Sequence, residues 1–543
     1  MEYTKATKWL SLVVLSLALA IIIIDTTLLN VSLGTIIREF GTTIQSIQWV
    51  ITAYALMLAA FTVTGGRIGD LYGRKKMFML GAAIFAIGSL IASYSHTIPV
   101  LLFGESIIEG IGAALMMPAT ASLLVATFKG RERAVAFGVW GGIAAASSAI
   151  GPILGGYLTS HYSWRWGFRI NVFVAAVLLL GSFIIQESRE HEEKAELDVV
   201  GVVLSAAGLL GVVFGIIESA TYGWWKAKEI FQIGGYPISF GDYSVTPISI
   251  AIGLLLLYLF VVWELRREGQ HHTPLISMRL FKNRQFASSV ATLGTITLGM
   301  TGIIFIIPVF LQSVAGLDAF HTGLALLPLS AALLITSPLS AILSKWIPPR
   351  TLIQTGLLIN IAALVLLILA LSPSAGASSL IIPLGLYGIG MGLIMSQINN
   401  LALSAVSVEQ AGEASGVNNT FRQIGSSLGS AIIGAVLIGS IGSNLGPQFQ
   451  KSAVIPAALK SKLSHISEKQ ISGVEFGGNS FEVAGAVPPQ IQNEITSISH
   501  TVTTAADQKA LLYAILFAIL GYAVSFTLPK GKNIERGESV GVH

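Results

Sequence analysis

The sequence predicts an all-α protein that crosses a membrane many times. Three observations lead to this fold class: 53% of the 543 residues are apolar, only 11% are charged, and 57 are glycine. Soluble domains usually contain about 25% charged residues, and glycine is more frequent in membrane-spanning helices than in soluble ones. The composition therefore excludes an ordinary soluble enzyme. The chain also has no cysteine, which excludes disulfides, and its net charge of +4 is too small to indicate nucleic-acid binding.

The individual helices follow from the hydropathy pattern. A helix needs roughly 20 predominantly apolar residues to span a bilayer, and polar connections separate fourteen such windows in this chain. The first window is predicted to be a retained helix rather than a signal peptide, because Asp25 follows the apolar run and no cleavage site is evident. The predicted spans are 9–33, 46–66, 77–96, 99–125, 134–159, 168–186, 198–219, 246–264, 286–312, 321–345, 352–372, 378–403, 419–442 and 508–528.

The connections between these windows predict the orientation of the chain. Lys and Arg concentrate on the cytoplasmic side of membrane proteins, and most of those in the short connections lie on the side of the N-terminus. Arg422 is counted with these basic residues and is therefore also placed on the cytoplasmic side. Both termini are therefore predicted to be cytoplasmic, and the long segment 443–507 is predicted to be an extracellular loop.

This long loop carries two apolar patterns with helical spacing. One contains Leu459, Leu463 and Ile466, and the other runs from Ile491 to Val502. Such spacing predicts two amphipathic helices, and the glycine-rich stretch 473–485 between them can turn the chain. A loosely ordered loop that rests on the outer face remains the alternative.

Three acidic residues are predicted to lie inside the membrane. Asp25 is in the first span, and Glu105 and Glu109 lie four residues apart on one face of the fourth span, at a similar depth. Ionisable groups at such positions are expensive and are usually functional. Because burial disfavours the charged form of a carboxyl group, these residues are candidates for binding and releasing protons near neutral pH. The alternative is a polar side chain with only a packing or hydration role, which is favoured for Glu218 near the outer end of its helix.

The connection between the second and third spans contains a conspicuous string, Gly65 to Lys76. Its glycines, including Gly66 and Gly73, permit a tight turn, and Asp70 can accept hydrogen bonds from Arg67, Arg74 or a helix N-terminus. Without such a clamp, the basic residues Arg74, Lys75 and Lys76 would only orient the chain. The whole string resembles the cytoplasmic signature of the major facilitator superfamily.

Further strings fall in the matching helices. The run Gly151-Pro152-Ile153-Leu154-Gly155-Gly156 in the fifth span resembles the antiporter motif of drug exporters in that superfamily. Gly151 and Gly155 form a surface for close helix contact, and Pro152 allows a bend. The segments 25–31, 164–171 and 419–425, together with the number of spans, are similar to the branch of fourteen-helix drug:proton antiporters.

The fourth span departs from the pattern of this branch. The family commonly has an Arg four residues before the glycine that is Gly110 here, and a Gln immediately before it. This chain has Ser106 and Glu109 at those positions. We therefore expect the proton-binding role of Asp25 to carry over, whereas Glu109, with Glu105, is a hypothesis specific to this chain.

The resemblance implies two six-helix bundles with the substrate site between them near the midplane. The expected organisation is an N-terminal bundle at 1–190, a two-helix central insertion at 191–270 and a C-terminal bundle at 271–543. In the family, the first and fourth helices of each bundle line the cavity. Asp25, Glu105 and Glu109 would then form an acidic wall, and Asn399 and Asn400 would contribute to a neutral polar wall opposite.

These features predict a proton-coupled antiporter that exports hydrophobic, cationic drugs or toxic compounds across the cytoplasmic membrane. An acidic, otherwise apolar cavity suits a lipophilic cation, and protons would displace it by competition. A dedicated exporter of one metabolite, antibiotic or lipid is the alternative. We expect no enzymatic activity, no catalytic residue, no cofactor and no metal, since phosphate-binding loops, nucleophile elbows and metal-ligand spacings are not found in the sequence.

Overall fold

The computed structural model describes residues 5–128, 130–188, 198–233, 236–270, 272, 274–406, 411–457, 459–460 and 488–530. Within these ranges, the side chains of Asp70, of several residues in 130–149 and of residues 5–6, 220, 232–233, 236, 403, 411–413 and 415 lie outside the description. The first predicted amphipathic helix of the outer loop falls largely on 461–487, and the boundary between the first bundle and the central insertion falls on 189–197. Both lie outside the described residues.

The described chain is almost entirely helical. Its long helices, in chain order, are α1 (Lys5–Phe40), α2 (Ile44–Tyr72), α3 (Arg74–Ser93), α4 (Ile98–Thr127), α5 (Gly130–His161), α6 (Arg165–Gly181), α7 (Val199–Tyr222), α8 (Val245–Gly269), α9 (Arg284–Ser313), α10 (Ala319–Leu343), α11 (Pro349–Ala370), α12 (Ile381–Ser404), α13 (Ala411–Lys451) and α14 (Pro489–Ser525). An antiparallel hairpin of β1 (Phe231–Ile233) and β2 (Tyr236–Ile238), which the sequence did not predict, connects α7 to α8.

The helices agree with the predicted spans in order and position. Among the described residues, 13 helices are long and apolar enough to cross a membrane, against fourteen predicted. The count does not include α5, several of whose side chains lie outside the description, although α5 is a continuous helix over the predicted span 134–159. The fold class expected from the hydropathy pattern is therefore confirmed.

Packing divides the helices into two six-helix bundles. In the first bundle, α1 packs against α5, α2 against α4, and α3 against α4 and α6. In the second bundle, α9 packs against α13, α10 against α12, and α11 against α12 and α14. Corresponding pairs of helices therefore recur in the two halves of the chain, as expected for a transporter built from repeats.

The two bundles meet along two seams. One seam is formed by α2 and α13, and the other by α5 and α10. The central pair, α7 and α8, packs as an antiparallel hairpin beside the first seam, where α7 contacts both α2 and α13. Its buried residues Leu209, Val213 and Ile217 share one apolar cluster with Leu56 of α2 and Ala431 of α13. The central pair therefore belongs to the packed body of the protein.

Alternate helices run in opposite directions between two ends of the molecule. We call the end at which α1 begins the basal end and the end at which α1 finishes, at Phe40, the distal end. At the distal end, α13 and α14 continue past the predicted boundaries at 442 and 508. Residues 443–451 and 489–507 of the predicted loop are thus helical, and the second predicted amphipathic helix is one unbroken helix with the last span. Ile495 and Val502 pack there against the core that includes Phe449.

Candidate functional site

Two of the three predicted acids meet at one amide group. Asn171 of α6 donates through Nδ2 to Asp25 Oδ1 of α1 at 2.6 Å and to Glu109 Oε1 of α4 at 3.0 Å. The two carboxyl groups also interact electrostatically with each other. All three side chains are at most 2% exposed. The structure therefore joins three helices of the first bundle through one buried polar cluster, which we call the Asp25–Asn171–Glu109 cluster.

The third acid, Glu105, lies near this cluster but is held differently. Its Oε2 atom lies 2.9 Å from Ser106 Oγ, which in turn lies 2.7 Å from the carbonyl oxygen of Val50 on α2. Glu105 interacts electrostatically with Asp25. The hydroxyl group of Tyr54 on α2 interacts electrostatically with all three carboxyl groups. The three acids are thus neighbours, whereas their roles in lining a substrate cavity and in binding protons stay predictions.

A local change of helix type positions two of these acids. Residues Leu102–Glu109 of α4 form a π-helix, in which hydrogen bonds span five residues instead of four. Such segments occur frequently at functional sites. Both Glu105 and Glu109 lie within it, and the residues before and after it in α4 are α-helical. The sequence contains no signal that predicts this segment.

Reciprocal glycine contacts hold the π-helical segment against α3. A Cβ atom on Gly88 would lie 2.5 Å from the backbone nitrogen of Glu109, and one on Gly104 would lie 2.7 Å from the nitrogen of Ala92. Two turns further along, a Cβ atom on Gly112 would lie 2.8 Å from the oxygen of Gly81. The contact glycines are seven residues apart on α3 and eight apart on α4. The additional residue on α4 is the one that a π-turn inserts.

The polar residues predicted on the opposite wall, Asn399 and Asn400, lie on α12 of the second bundle, and their place in a substrate cavity stays a prediction. Asn399 accepts a hydrogen bond from Asn418 Nδ2 of α13 at 2.9 Å and donates to the carbonyl oxygen of Met395, so it is held within the second bundle. Asn400 is exposed near the basal end of α12. No described hydrogen bond joins Asn399 or Asn400 to Asp25, Glu105 or Glu109.

Arg422 lies inside a helix rather than in a basic connection. It is eleven residues into α13 and half-buried, and its guanidinium donates to Asn419 Oδ1 at 3.3 Å. The orientation argument counted this residue with the connections, which the structure corrects. The second bundle therefore carries a positive charge within a span, on α13.

The turn between α2 and α3 has the expected shape. Gly73 adopts a φ of 115°, which favours glycine, and α3 begins at Arg74. Gly66 packs on Pro118 of α4. The side chain of Asp70 lies outside the described residues, so the predicted clamp through this residue stays a prediction.

The sequence analysis missed the acid that caps this turn. Glu187, which follows α6, accepts hydrogen bonds from the backbone nitrogens of Lys75 at 2.9 Å and Lys76 at 3.3 Å. A Cβ atom on Gly73 would lie 2.8 Å from the carboxyl carbon of Glu187. A carboxylate at a helix N-terminus satisfies free N–H groups and interacts favourably with the helix dipole. The signature turn is therefore bound to the end of the first bundle.

The glycines of the fifth-span motif face two different neighbours. A Cβ atom on Gly151 would collide with Thr27 Oγ1, and one on Gly155 would lie 2.7 Å from Leu28 Cγ, both on α1. A Cβ atom on Gly156 would lie 2.4 Å from the carbonyl oxygen of Ala319 at the start of α10. The motif thus packs α5 closely against α1 beside Asp25 and also against the second bundle.

Hydrogen bonds in the distal half join the two bundles. Gln48 Nε2 donates to the carbonyl oxygen of Ser430 on α13 at 2.8 Å, and the hydroxyl oxygens of Thr52 and Ser430 lie 2.9 Å apart. Gln312 of α9 bonds to the backbone of α1 through both ends of its amide, and Ser160 accepts from the backbone of α10. The distal half of the molecule is therefore closed across both seams.

Within the described part of the chain, no group of three or more His, Asp or Glu side chains is placed to hold a metal ion. The Asp25–Asn171–Glu109 cluster has two carboxyl groups, which can bind protons or cations, and its amide group and the neighbouring phenol of Tyr54 can form hydrogen bonds. Its burial makes it suited to a process in which a proton and a cation compete for the same negative charge.

Comparisons with known proteins agree with this geometry. The model of the Major Facilitator Superfamily matches residues 15–430 of the chain. The chain is 31% identical over 451 residues to the Multidrug resistance protein Stp of Mycobacterium tuberculosis, which covers 83% of this chain and 80% of that protein. It is 29% identical to the Multidrug efflux pump LfrA of Mycolicibacterium smegmatis, with 87% of each protein covered.

A third relative covers almost the whole chain. The Tetracenomycin C resistance and export protein of Streptomyces glaucescens is 24% identical over 536 residues, which is 98% of this chain and 94% of that protein. Among solved structures, a bacterial homologue of the human lysosomal transporter Spinster, in an inward-facing and unoccupied conformation, superposes with a TM-score of 0.60 at 16% identity. This superposition covers 97% of this chain and 98% of that one, and at this identity it shows a shared fold.

Proposed function

The chain belongs to the Major Facilitator Superfamily, and from this premise we propose that it exports hydrophobic, cationic drugs or toxic compounds in exchange for protons. It is a multi-pass membrane transporter of small molecules, not an enzyme. The names of its relatives, which are multidrug and antibiotic resistance exporters, support export as the direction of transport. The proposed membrane is the cytoplasmic membrane, with both termini and the basal end in the cytoplasm.

The observation that carries the proton coupling is the buried cluster of acids around Asp25. A carboxyl group that is at most 2% exposed is neutral when protonated and binds a cation when it is not. A proton that arrives from the distal side would therefore displace a cation that arrived from the basal side. The driving force comes from the proton gradient, at about 1.4 kcal/mol per pH unit for each proton. We expect no cofactor to be required.

Replacing Asp25 tests the proton coupling directly. Asp25→Asn keeps the size and polarity of the side chain but removes its charge, so we expect drug-driven proton release to fall to background while protein abundance stays normal. The measurement is proton flux in everted vesicles challenged with tetraphenylphosphonium. Asp242→Asn, which makes the same chemical change at an exposed position between α7 and α8, is the matched control and should transport normally.

Full drug-stimulated proton release in the Asp25→Asn variant would contradict the proposed role of Asp25. Release lost equally in the Asp242→Asn control would show that the loss in either variant reflects damaged protein rather than a missing proton site.

A dedicated exporter of a single compound is the second candidate. It is favoured by the tetracenomycin C export protein, whose name refers to one compound and whose similarity covers 98% of this chain. A panel of cations, neutral drugs and anions separates the two readings. Proton flux with several unrelated cations supports a multidrug exporter, and flux with one compound alone supports the dedicated exporter.

A further inference from the structure

The amide of Asn171 places two acids around a common point. One nitrogen donates to Asp25 Oδ1 at 2.6 Å and to Glu109 Oε1 at 3.0 Å, so the two carboxyl groups lie side by side around it. The second oxygen of Asp25, Oδ2, is buried without an N–H donor in the described part of the chain. A hydrogen bond between two carboxyl groups requires a proton on one of them. The geometry therefore favours a proton on one of the two acids.

Electrostatics supports the same conclusion. Two like charges this close in a dehydrated interior repel strongly, so a pair of carboxyl groups in one site keeps one proton where separate groups would keep none. Among the described residues, the titratable groups that interact with the pair are Tyr54 on α2 and Glu105 on α4, and neither carries a positive charge. Charge balance must then come from a proton or from a bound cation.

We propose that Asp25 and Glu109 act as one proton-sharing pair and that Asn171 is the positioning residue that holds them together. The proposal rests on the proposed function, since it specifies how protons and cations compete at that site. It also uses Glu109, which stands where related exporters commonly have Gln. The pair can hold two protons, or one proton and one negative charge, or two negative charges.

The three protonation states of the pair determine how many protons are released for each cation that binds. The doubly protonated pair is neutral. A monovalent cation displaces one proton, whose O–H bond breaks and which passes to water, and the other proton stays between the carboxyl groups. A divalent cation displaces both protons. The occupied site is neutral in every case, so the number of protons released equals the charge of the cation.

Asn171 determines how readily the cation displaces the proton. Its N–H groups donate to carboxyl oxygens and so favour their charged form. Without these donors the pair holds its protons more tightly, and a higher pH is required before a cation can bind. Asn171→Leu is therefore expected to move the pH midpoint of cation binding upward by about one pH unit or more, the size of effect that a hydrogen bond to a charged group has on proton binding.

The experiment measures proton release and cation binding with purified full-length protein in lipid nanodiscs. Tetraphenylphosphonium is the monovalent probe, dequalinium is the divalent probe, and a pH indicator in weakly buffered solution reports the protons. The wild-type protein should release one proton with the first probe and two with the second. Glu109→Gln should release at most one proton with either probe.

The controls separate a positioning role from general damage. Asn360→Leu removes a similarly buried amide from α11 in the second bundle and should leave the pH midpoint unchanged. Asn171→Ser retains one donor, should give a smaller upward shift, and carries the test together with Glu109→Gln if Asn171→Leu does not fold.

The failures are distinguishable. An absence of proton release from the wild-type protein with any cation overturns the proposed function. If the wild-type protein releases protons normally but the pH midpoint of cation binding is unchanged in the Asn171 variants, only the proposal of a shared pair is overturned. The release of two protons by Glu109→Gln with the divalent probe would also overturn the shared pair.

Discussion

At the residue scale, two side chains act over long separations in the chain. Asn171 is 146 residues from Asp25, and Glu187 is 112 residues from Lys75. Asp25, Glu105 and Glu109 could be found from the sequence because an acid within an apolar window is conspicuous. Asn171 and Glu187 could not, because an uncharged amide and an acid after a helix look ordinary until packing brings their partners close.

Arg422 shows the opposite error. A count of basic residues along the chain treats each one as part of a connection, whereas this residue lies well inside α13. The orientation rule depends on short connections. A basic residue within a span needs to be considered as a charge in the membrane.

Removing Glu187 is predicted to weaken the turn between α2 and α3. Glu187→Ala leaves the first N–H groups of α3 without an acceptor, which costs about 1 kcal/mol for a typical helix cap. We expect a lower unfolding temperature of the purified protein, measured by differential scanning fluorimetry in detergent, and slower transport. Glu229→Ala changes an exposed acid near the hairpin and serves as the control. Equal stability of the two variants would remove the structural role assigned to Glu187.

At the scale of elements, hydropathy located the helices but not their ends. The first span was predicted at 9–33 and is Lys5–Phe40, and the last was predicted at 508–528 and is Pro489–Ser525. An apolar window marks the part of a helix in contact with hydrocarbon. Polar turns that continue the helix beyond the membrane do not contribute to the window, so the extensions were assigned to connections.

The π-helical segment of α4 is an element that only the structure reveals. Its eight residues place Glu105 and Glu109 beside α1 and α6, and the contact with Gly88 keeps the backbone of Glu109 close to α3. The position of Glu109 thus depends on a neighbouring helix as well as on its own.

We predict that a single methyl group on α3 disturbs this arrangement. Gly88→Ala would place a Cβ atom 2.5 Å from the nitrogen of Glu109, so α4 must move away. Tetraphenylphosphonium binding should weaken severalfold, as measured by a filter assay on purified protein. Gly385→Ala on α12, where the added atom meets nothing within 4 Å, should bind as the wild type does. If both variants bind equally well, close contact with α3 is not required for the site.

At the scale of the whole molecule, the two seams connect the bundles and determine how they can move. The hydrogen bonds of Gln48 and Gln312 lie in the distal half, where α1 and α2 meet the second bundle. Transport by alternating access requires that these contacts break when the distal side opens. The two-bundle architecture was predictable from the resemblance, whereas the closed half was not, because it depends on which contacts form between the bundles.

The lack of cysteine makes this movement testable. A Thr52→Cys, Ser430→Cys double variant places thiols where the hydroxyl oxygens are 2.9 Å apart. Cross-linking with Hg²⁺ or a short bifunctional reagent should hold the distal half closed and stop drug-driven proton flux, and removal of a reversible cross-link should restore it. Each single variant is the control. Undiminished flux in fully cross-linked protein would show that the seam need not open.

The closed distal half also affects proton leakage through copies of the protein that have no bound substrate. Asp25, Glu105 and Glu109 are at most 2% exposed, and hydrogen bonds join the bundles on the distal side of them. A carboxyl pair reached by water from both ends at once would conduct protons down their gradient. If the protein works as proposed, a copy without substrate in this closed arrangement therefore does not leak protons across the membrane, and a cell can keep many copies without dissipating its proton gradient.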